Sequence, residues 1–182
     1  MSHRDTRREQ HDDDEIFYLE PGFIYVGSEK SAVKTVLGNC VSVCLWDTKL
    51  RFGGMNHFVY PYTKDKHKAT ARFGNIATKT LIKNMIAVGS VSGDLVAQIV
   101  GGASKEDRSR DNLGRENVAV ARQVLDRANI TIKSEDIGGH LGRKVIFDVQ
   151  NGQLMVIKVH QIRDTDWIKP SLDEQKDESE KV

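Results

Sequence analysis

Short apolar runs broken by turn residues fill most of this chain, and two longer stretches carry helical spacing instead. Residues 16–19 and 23–26 flank Glu20-Pro21-Gly22 and read as a first strand pair. Residues 41–46 are almost continuously apolar, the pattern of a strand buried on both faces. Residues 47–50 form a turn and 51–58 return as the hairpin partner, which carries His57 back towards Cys40. A polar loop, 60–71, follows. From Asn75 onward Ile76, Ala77, Leu81, Ile82, Met85 and Ile86 make an apolar stripe at helical spacing, with Gly89 just past its end. Residues 95–100 form a strand that closes on Gly101-Gly102. The stretch 114–129 predicts a second amphipathic helix with Val118, Ala121, Val124 and Leu125 inward and Asn129 at its C-terminus. A short strand over 130–132 follows. Residues 144–149 and 154–160 flank Asn151-Gly152, a strong hairpin signal. Many strands with two intervening helices give an α/β sandwich: a mixed β-sheet core with helices packed outside.

Composition narrows the function classes. The 182 residues carry a net charge of +1, with acids and bases interspersed. No basic stripe with interleaved aromatics is present, which argues against a nucleic-acid partner. The expected organisation is one domain over 16–170 between charged, solvated tails at 1–15 and 171–182. The lack of an apolar N-terminal segment predicts neither a signal peptide nor a membrane span, hence a cytoplasmic protein. The two cysteines, Cys40 and Cys44, occupy one strand. At that spacing their Cα atoms would stand roughly 13 Å apart, too far for a disulfide, so Cys40 is expected to be a free thiol.

Cys40 follows Gly38-Asn39 at the mouth of the apolar strand, and His57 ends the next one. An imidazole beside a thiol favours the thiolate and then protonates the leaving group. A tight turn at Gly38 and Asn39 aims backbone N–H groups at a developing oxyanion. Thr35 offers a hydroxyl that would set the histidine's tautomer. Periodicity alone leaves Cys40 open between a small buried hydrophobe and a nucleophile, and it reads Cys44 as the former. A metal site finds no support: Cys40, Cys44 and His57 lack zinc-type spacing, and nothing ties His140 or His160 to them. Gly101-Gly102-Ala103 completes no phosphate-binding pattern.

The segments Leu37-Gly38-Asn39-Cys40-Val41, Gly53-Gly54-Met55-Asn56-His57-Phe58 with Pro61, Arg72-Phe73-Gly74, Gly101-Gly102-Ala103 and Gly114-Arg115-Glu116-Asn117 stand in a recognisable order. Asp136-Ile137-Gly138-Gly139 and Gly142-Arg143-Lys144-Val145 complete it. Over residues 23–159 the chain resembles the CheD-type chemoreceptor glutamine deamidases of bacterial chemotaxis. The resemblance implies hydrolysis of glutamine side-chain amides on chemoreceptor cytoplasmic helices, giving glutamate and ammonia through a Cys thioester, without a cofactor. It also implies a sandwich like that of glutamine-deamidating toxins and a CheC-type phosphatase as partner. Cys40 matches the nucleophile, His57 its base and Thr35 the third catalytic residue. Two departures are Asn39, where serine is usual, and Tyr60, where leucine is common. Arg72 and Arg143, with Lys64 and Lys66, are expected contacts for acidic residues flanking the substrate glutamine. Two other readings use the same residues: a receptor glutamyl methylesterase, and a non-catalytic chemotaxis regulator that binds receptor and phosphatase.

Overall fold

A computed structural model describes residues 16–30, 32–104, 112–163 and 166. The expected tails at 1–15 and 171–182 lie outside the described residues. Two sheets and two helices stack in three layers. One sheet has four strands, in the order β1 (Ile16–Tyr18), β3 (Ala32–Leu37), β8 (Gly142–Asp148) and β9 (Leu154–Val159). The other has five: β2 (Ile24–Gly27), β5 (Gly53–Asn56), β4 (Val41–Asp47), β6 (Leu95–Gly101) and β7 (Thr131–Ile137). Pairing is antiparallel except for β1 with β3 and β6 with β7. The mixed α/β sandwich read from the sequence is the architecture observed, with two sheets rather than one.

The near-continuous apolar run of β4 follows from its place in the middle layer. Val41, Val43 and Leu45 face helices α1 (Gly74–Ala87) and α2 (Leu113–Arg127), packing with Leu81, Met85, Val124 and Leu125. Cys44, between them in the alternation, faces the four-stranded sheet with Met55, Val100, Val33, Leu37 and Phe147. Each fully buried aliphatic side chain of this kind contributes about 1.5–3 kcal/mol. The helix readings hold closely: Val118, Ala121, Val124 and Leu125 are all buried, and Asn129 sits beyond the end of α2 at φ 53°. Ile86, expected on the apolar stripe of α1, is exposed.

Two strand readings are corrected. The segments around Glu20-Pro21-Gly22 do not pair with each other. The turn exists, with the Phe23 N–H donating to the Glu20 carbonyl at 3.2 Å, but it carries the chain from one sheet to the other. Leu19, 2% exposed, is the reason: it is drawn into the layer between the sheets. The short strand at 130–132 is in fact Thr131–Ile137. It lies at the sheet's edge, where mostly exposed side chains leave no apolar alternation to read. A further strand, β3, was not announced by the pattern, because Lys34 interrupts it on the outward face.

Candidate active site

Thr35 comes from β3 of the four-stranded sheet and points inward, 6% exposed. His57 lies one residue beyond β5 of the other sheet and is fully buried. Thr35 Oγ1 donates to the Leu19 carbonyl at 2.7 Å and stands 2.8 Å from His57 Nδ1. The carbonyl can only accept, so the hydroxyl's single proton goes there, and the contact with the ring is made by an Nδ1–H donor. That tautomer places the basic lone pair of the neutral ring on Nε2.

Cys40 reaches the same place through backbone pairing. Val41 and Phe58 form an antiparallel bridge, with N–H to O distances of 3.1 and 3.0 Å. Both of their side chains face the helices. Cys40 and His57 therefore share the opposite face as diagonal neighbours across the bridge, a spacing of about 7–8 Å between such residues. Cys40 is half-buried against the inter-sheet core, whereas Cys44 is wholly buried there; both are free thiols.

The turn before Cys40 is held by its carbonyls. Gly38 accepts from the Ala103 N–H at 3.0 Å, and Cys40 from the Gly102 N–H at 2.8 Å. Asn39 accepts from the Asn117 side chain at 3.0 Å. In a trans peptide the N–H points opposite to the preceding carbonyl. The Asn39 and Cys40 N–H groups thus point away from the Ala103 and Asn117 donors that hold the preceding carbonyls. Cys40's own N–H approaches its sulfur closely enough to draw down the thiol pKa. The Asn39 side chain lies 3.8 Å from Sγ through Oδ1.

Gly101 lets the anchor come this close. It sits at φ 115°, and a Cβ there would meet the Cys40 carbonyl oxygen at 2.3 Å. The Gly-Gly-Ala segment thus buttresses the cysteine turn, which explains a motif that completes no phosphate loop.

Asn117 is the functional residue that chemistry-directed reading missed. Fully buried on α2, it donates to the Asn39 carbonyl and also to the Val59 carbonyl, at 2.9 Å. One side chain thereby ties the strand end carrying Cys40 to the one carrying His57. The available signal was an amide on the apolar face, one turn before Ala121. Asn56, also buried, accepts from the Val43 N–H at 2.8 Å and joins the two central strands.

Burial dominates the electrostatics. It pushes the Cys40 thiol up to about 11, against the pull of the Arg72 charge and of its own N–H. Burial likewise pushes the His57 imidazolium down to about 4; the neighbouring Leu19 carbonyl opposes this and Arg72 adds to it. The resting pair is a neutral thiol beside a neutral imidazole, not the preformed thiolate that the spacing alone invites.

Of the expected substrate contacts, Arg72 is exposed at the site and Arg143 is not. Arg143 is 2% exposed and donates to Asp136 Oδ1 at 3.0 and 2.9 Å, to the Leu141 carbonyl at 3.1 Å and to the Gly138 carbonyl at 2.9 Å. It organises the glycine turn between β7 and β8, with its donors spent inside the fold. Lys64 and Lys66 are exposed in the 61–70 loop. On the other flank of the cysteine turn, a cavity of about 510 Å³ is lined by Gly38, Asn39, Ser104, His140 and His160. Among the described residues no group of three or more His, Cys, Asp and Glu side chains could hold a metal ion. Nor is any helix among them long and apolar enough to cross a membrane.

The fold and site define a class: a two-sheet α/β protein in which a threonine-oriented, buried histidine shares a strand face with a half-buried thiol. The chain belongs to the CheD family. The family model described as CheD chemotactic sensory transduction matches residues 60–158. The chain is 44% identical to a probable chemoreceptor glutamine deamidase CheD 1 of Anaeromyxobacter dehalogenans, over 76% of this chain and 82% of that one. It is 37% identical to a probable chemoreceptor glutamine deamidase CheD of Sulfurimonas denitrificans, over 76% of this chain and 91% of the relative. A relative of the same description from Trichlorobacter lovleyi is 36% identical over 77% and 88%. The crystal structure of a Bacillus licheniformis hypothetical protein, YfiH, overlaps 57% of this chain and 45% of its own at a TM-score of 0.37 and 17% identity, too slight a likeness to carry argument.

Proposed function

We propose that this protein is a chemoreceptor glutamine deamidase with Cys40 as nucleophile, His57 as general base and acid, and Thr35 as the residue that orients His57. The observation that carries the reading is the Thr35–His57 hydrogen bond on the strand face shared with Cys40. The CheD relatives, described as probable chemoreceptor glutamine deamidases, supply the substrate class. Cys40 is neutral at rest, so its proton passes to His57 Nε2 as sulfur attacks the carboxamide carbon. The oxygen takes up the negative charge at the Asn39 and Cys40 N–H groups. The imidazolium then protonates the departing amine, ammonia leaves, and a Cys40 thioester remains. Water, giving its proton to Nε2, attacks the thioester carbon. Collapse of that adduct returns the proton to sulfur and releases glutamate. The substrate is a cytoplasmic receptor helix in this reading, and a CheC-type phosphatase is the further partner that family resemblance implies.

The test is mass spectrometry of a receptor cytoplasmic fragment after incubation with wild type, Cys40→Ala and His57→Ala. Amide-to-acid conversion at defined glutamines by wild type alone is the expected result. Conversion by folded Cys40→Ala at the wild-type rate would overturn the assignment of the nucleophile.

A further inference from the structure

Arg72 sits beside the catalytic pair with its head exposed and its stem fixed. The residue immediately precedes Phe73, the N-cap of α1. Its carbonyl accepts from the Val59 and Tyr60 N–H groups, both at 2.9 Å, directly beyond His57-Phe58. Its side chain crosses Gly22 so closely that a Cβ there would lie 2.8 Å from Arg72 Cγ. Gly22, at φ 88°, in turn donates to the His57 carbonyl at 2.7 Å. Backbone and stem thus both hold Arg72 against the segment that carries His57. Its charge is felt at both Cys40 and His57.

Several other cations of the fold have carboxylate partners. Arg122 forms a two-pronged pair with Glu135, Arg143 binds Asp136, and Lys49 binds Asp94. Among the described residues no carboxylate pairs with Arg72, although Glu20 and Asp65 stand in neighbouring turns. In the adjoining segments Phe23, Tyr60 and Tyr62 are exposed, and the Tyr60 and Phe73 rings lie tilted against each other with centroids 5.5 Å apart. Lys64, Lys66 and Lys68 add positive charge from the adjoining loop. A rigidly based guanidinium at an aromatic rim, with its fork uncommitted, is built to take a planar anion.

We propose that Arg72 is a specificity-determining residue: it binds a carboxylate side chain of the substrate segment and so selects glutamines that have an acidic neighbour. This rests on the deamidase reading. The oxygens of a flanking Glu or Asp would accept from the guanidinium while the neighbouring amide enters between Cys40 and His57. The aromatic rim supports the apolar stems on either side. Preference arises in binding, because the acid is not altered in the reaction.

The test uses helical peptides with one glutamine, in matched pairs carrying Glu or Ala at each position one, three or four residues away. For wild type, kcat/KM should favour at least one acid-flanked peptide about tenfold, mainly through KM, with the advantage shrinking in high salt. In Arg72→Gln that ratio should fall close to one, and Arg72→Lys should restore part of it. Cys40→Ala, which cannot turn the peptide over, should bind the same acid-flanked peptide about tenfold tighter than its alanine partner, and the double variant with Arg72→Gln should not. An equal preference in wild type and Arg72→Gln overturns the proposal. So does an Arg72→Gln defect that is the same for both peptides and matched by slower alkylation of Cys40, since Arg72 would then act on the thiol alone. If wild type converts no glutamine, the deamidase reading fails, and the Cys40→Ala binding comparison still decides the role of Arg72.

Discussion

Thr35 lies in the four-stranded sheet and His57 just past a strand of the other, and a 2.8 Å hydrogen bond joins them across the layer between. The Leu19 carbonyl takes the threonine's only proton, so the bond dictates which ring nitrogen carries hydrogen. Orientation of the His57 ring is thereby a product of how the two sheets stack.

Thr35→Val keeps the shape and removes both bonds. We expect a loss of about 1–2 kcal/mol in stability, because the Leu19 carbonyl loses its hydroxyl donor and the ring loses its Thr35 acceptor. Deamidation should fall about a hundredfold, as the ring loses its tautomer and direction. Thr35→Ser should stay within a few-fold of wild type. Urea unfolding and a deamidation assay on the three proteins check this; a fully active Thr35→Val would sink the orienting role.

Asn117 should show an order rather than a single loss. Asn117→Ala leaves the Asn39 and Val59 carbonyls unbonded, costing about 1–3 kcal/mol. Asn117→Asp puts a carboxylate against the same two carbonyls and should be worse in both thermal midpoint and kcat. An aspartate variant as stable as the alanine one would contradict the clamp.

Gly101→Ala drives a methyl group towards the Cys40 carbonyl, 2.3 Å from the ideal Cβ position, at a φ of 115°. Destabilisation of about 2–4 kcal/mol is expected from overlap and backbone strain together. Because the strain falls on the cysteine turn, activity should drop further than the fraction of unfolded protein explains. Comparing kcat with the folded fraction from circular dichroism separates the two.

The pKa shifts set two pH limits. His57 has a folded pKa near 4 against an ordinary 6.5, so within that window the unfolded chain takes up a proton that the folded one refuses. Stability should fall as pH drops from about 6.5 towards 4, by about 3 kcal/mol at the lower end. Cys40 keeps its proton up to about 11 when folded, against an ordinary 9.0, so stability should also fall as pH rises above 9. Urea midpoints against pH for wild type, His57→Gln and Cys40→Ser give the readout: His57→Gln should lose the acid limb, and Cys40→Ser should weaken the alkaline limb without abolishing it, because burial also raises the Cys44 thiol. Iodoacetamide should modify Cys40 slowly at pH 7 and faster as pH climbs. Rapid alkylation at pH 7 would instead indicate a standing thiolate.

Much of the candidate site was legible in one dimension. Cys40 after a glycine turn and His57 at the end of the returning strand are joined by the β4–β5 hairpin and the Val41–Phe58 bridge, both local in sequence. The helices, the Asn129 terminus and the Asn151-Gly152 hairpin were also readable, since periodicity and turn chemistry act over a few residues. Gly101-Gly102-Ala103 was visible as a motif, but its purpose was not, because the atom that needs the space belongs to Cys40.

Tertiary structure alone decided the rest. The residues flanking Glu20-Pro21-Gly22 suit a hairpin equally well, and only burial of Leu19 between the sheets sends them to different partners. A single-sequence pattern records which face of a strand is apolar, not which sheet receives it. Thr35 meets His57, Asn117 spans Asn39 and Val59, and Arg143 turns inward to Asp136 for the same reason. The sequence by itself thus determined the reactive groups and their local frames. Stacking one sheet on the other, and the second helix on the five-stranded sheet, determined which tautomer, which clamp and which arginine those groups would work with, because these contacts join segments whose separation along the chain carries no periodic signal.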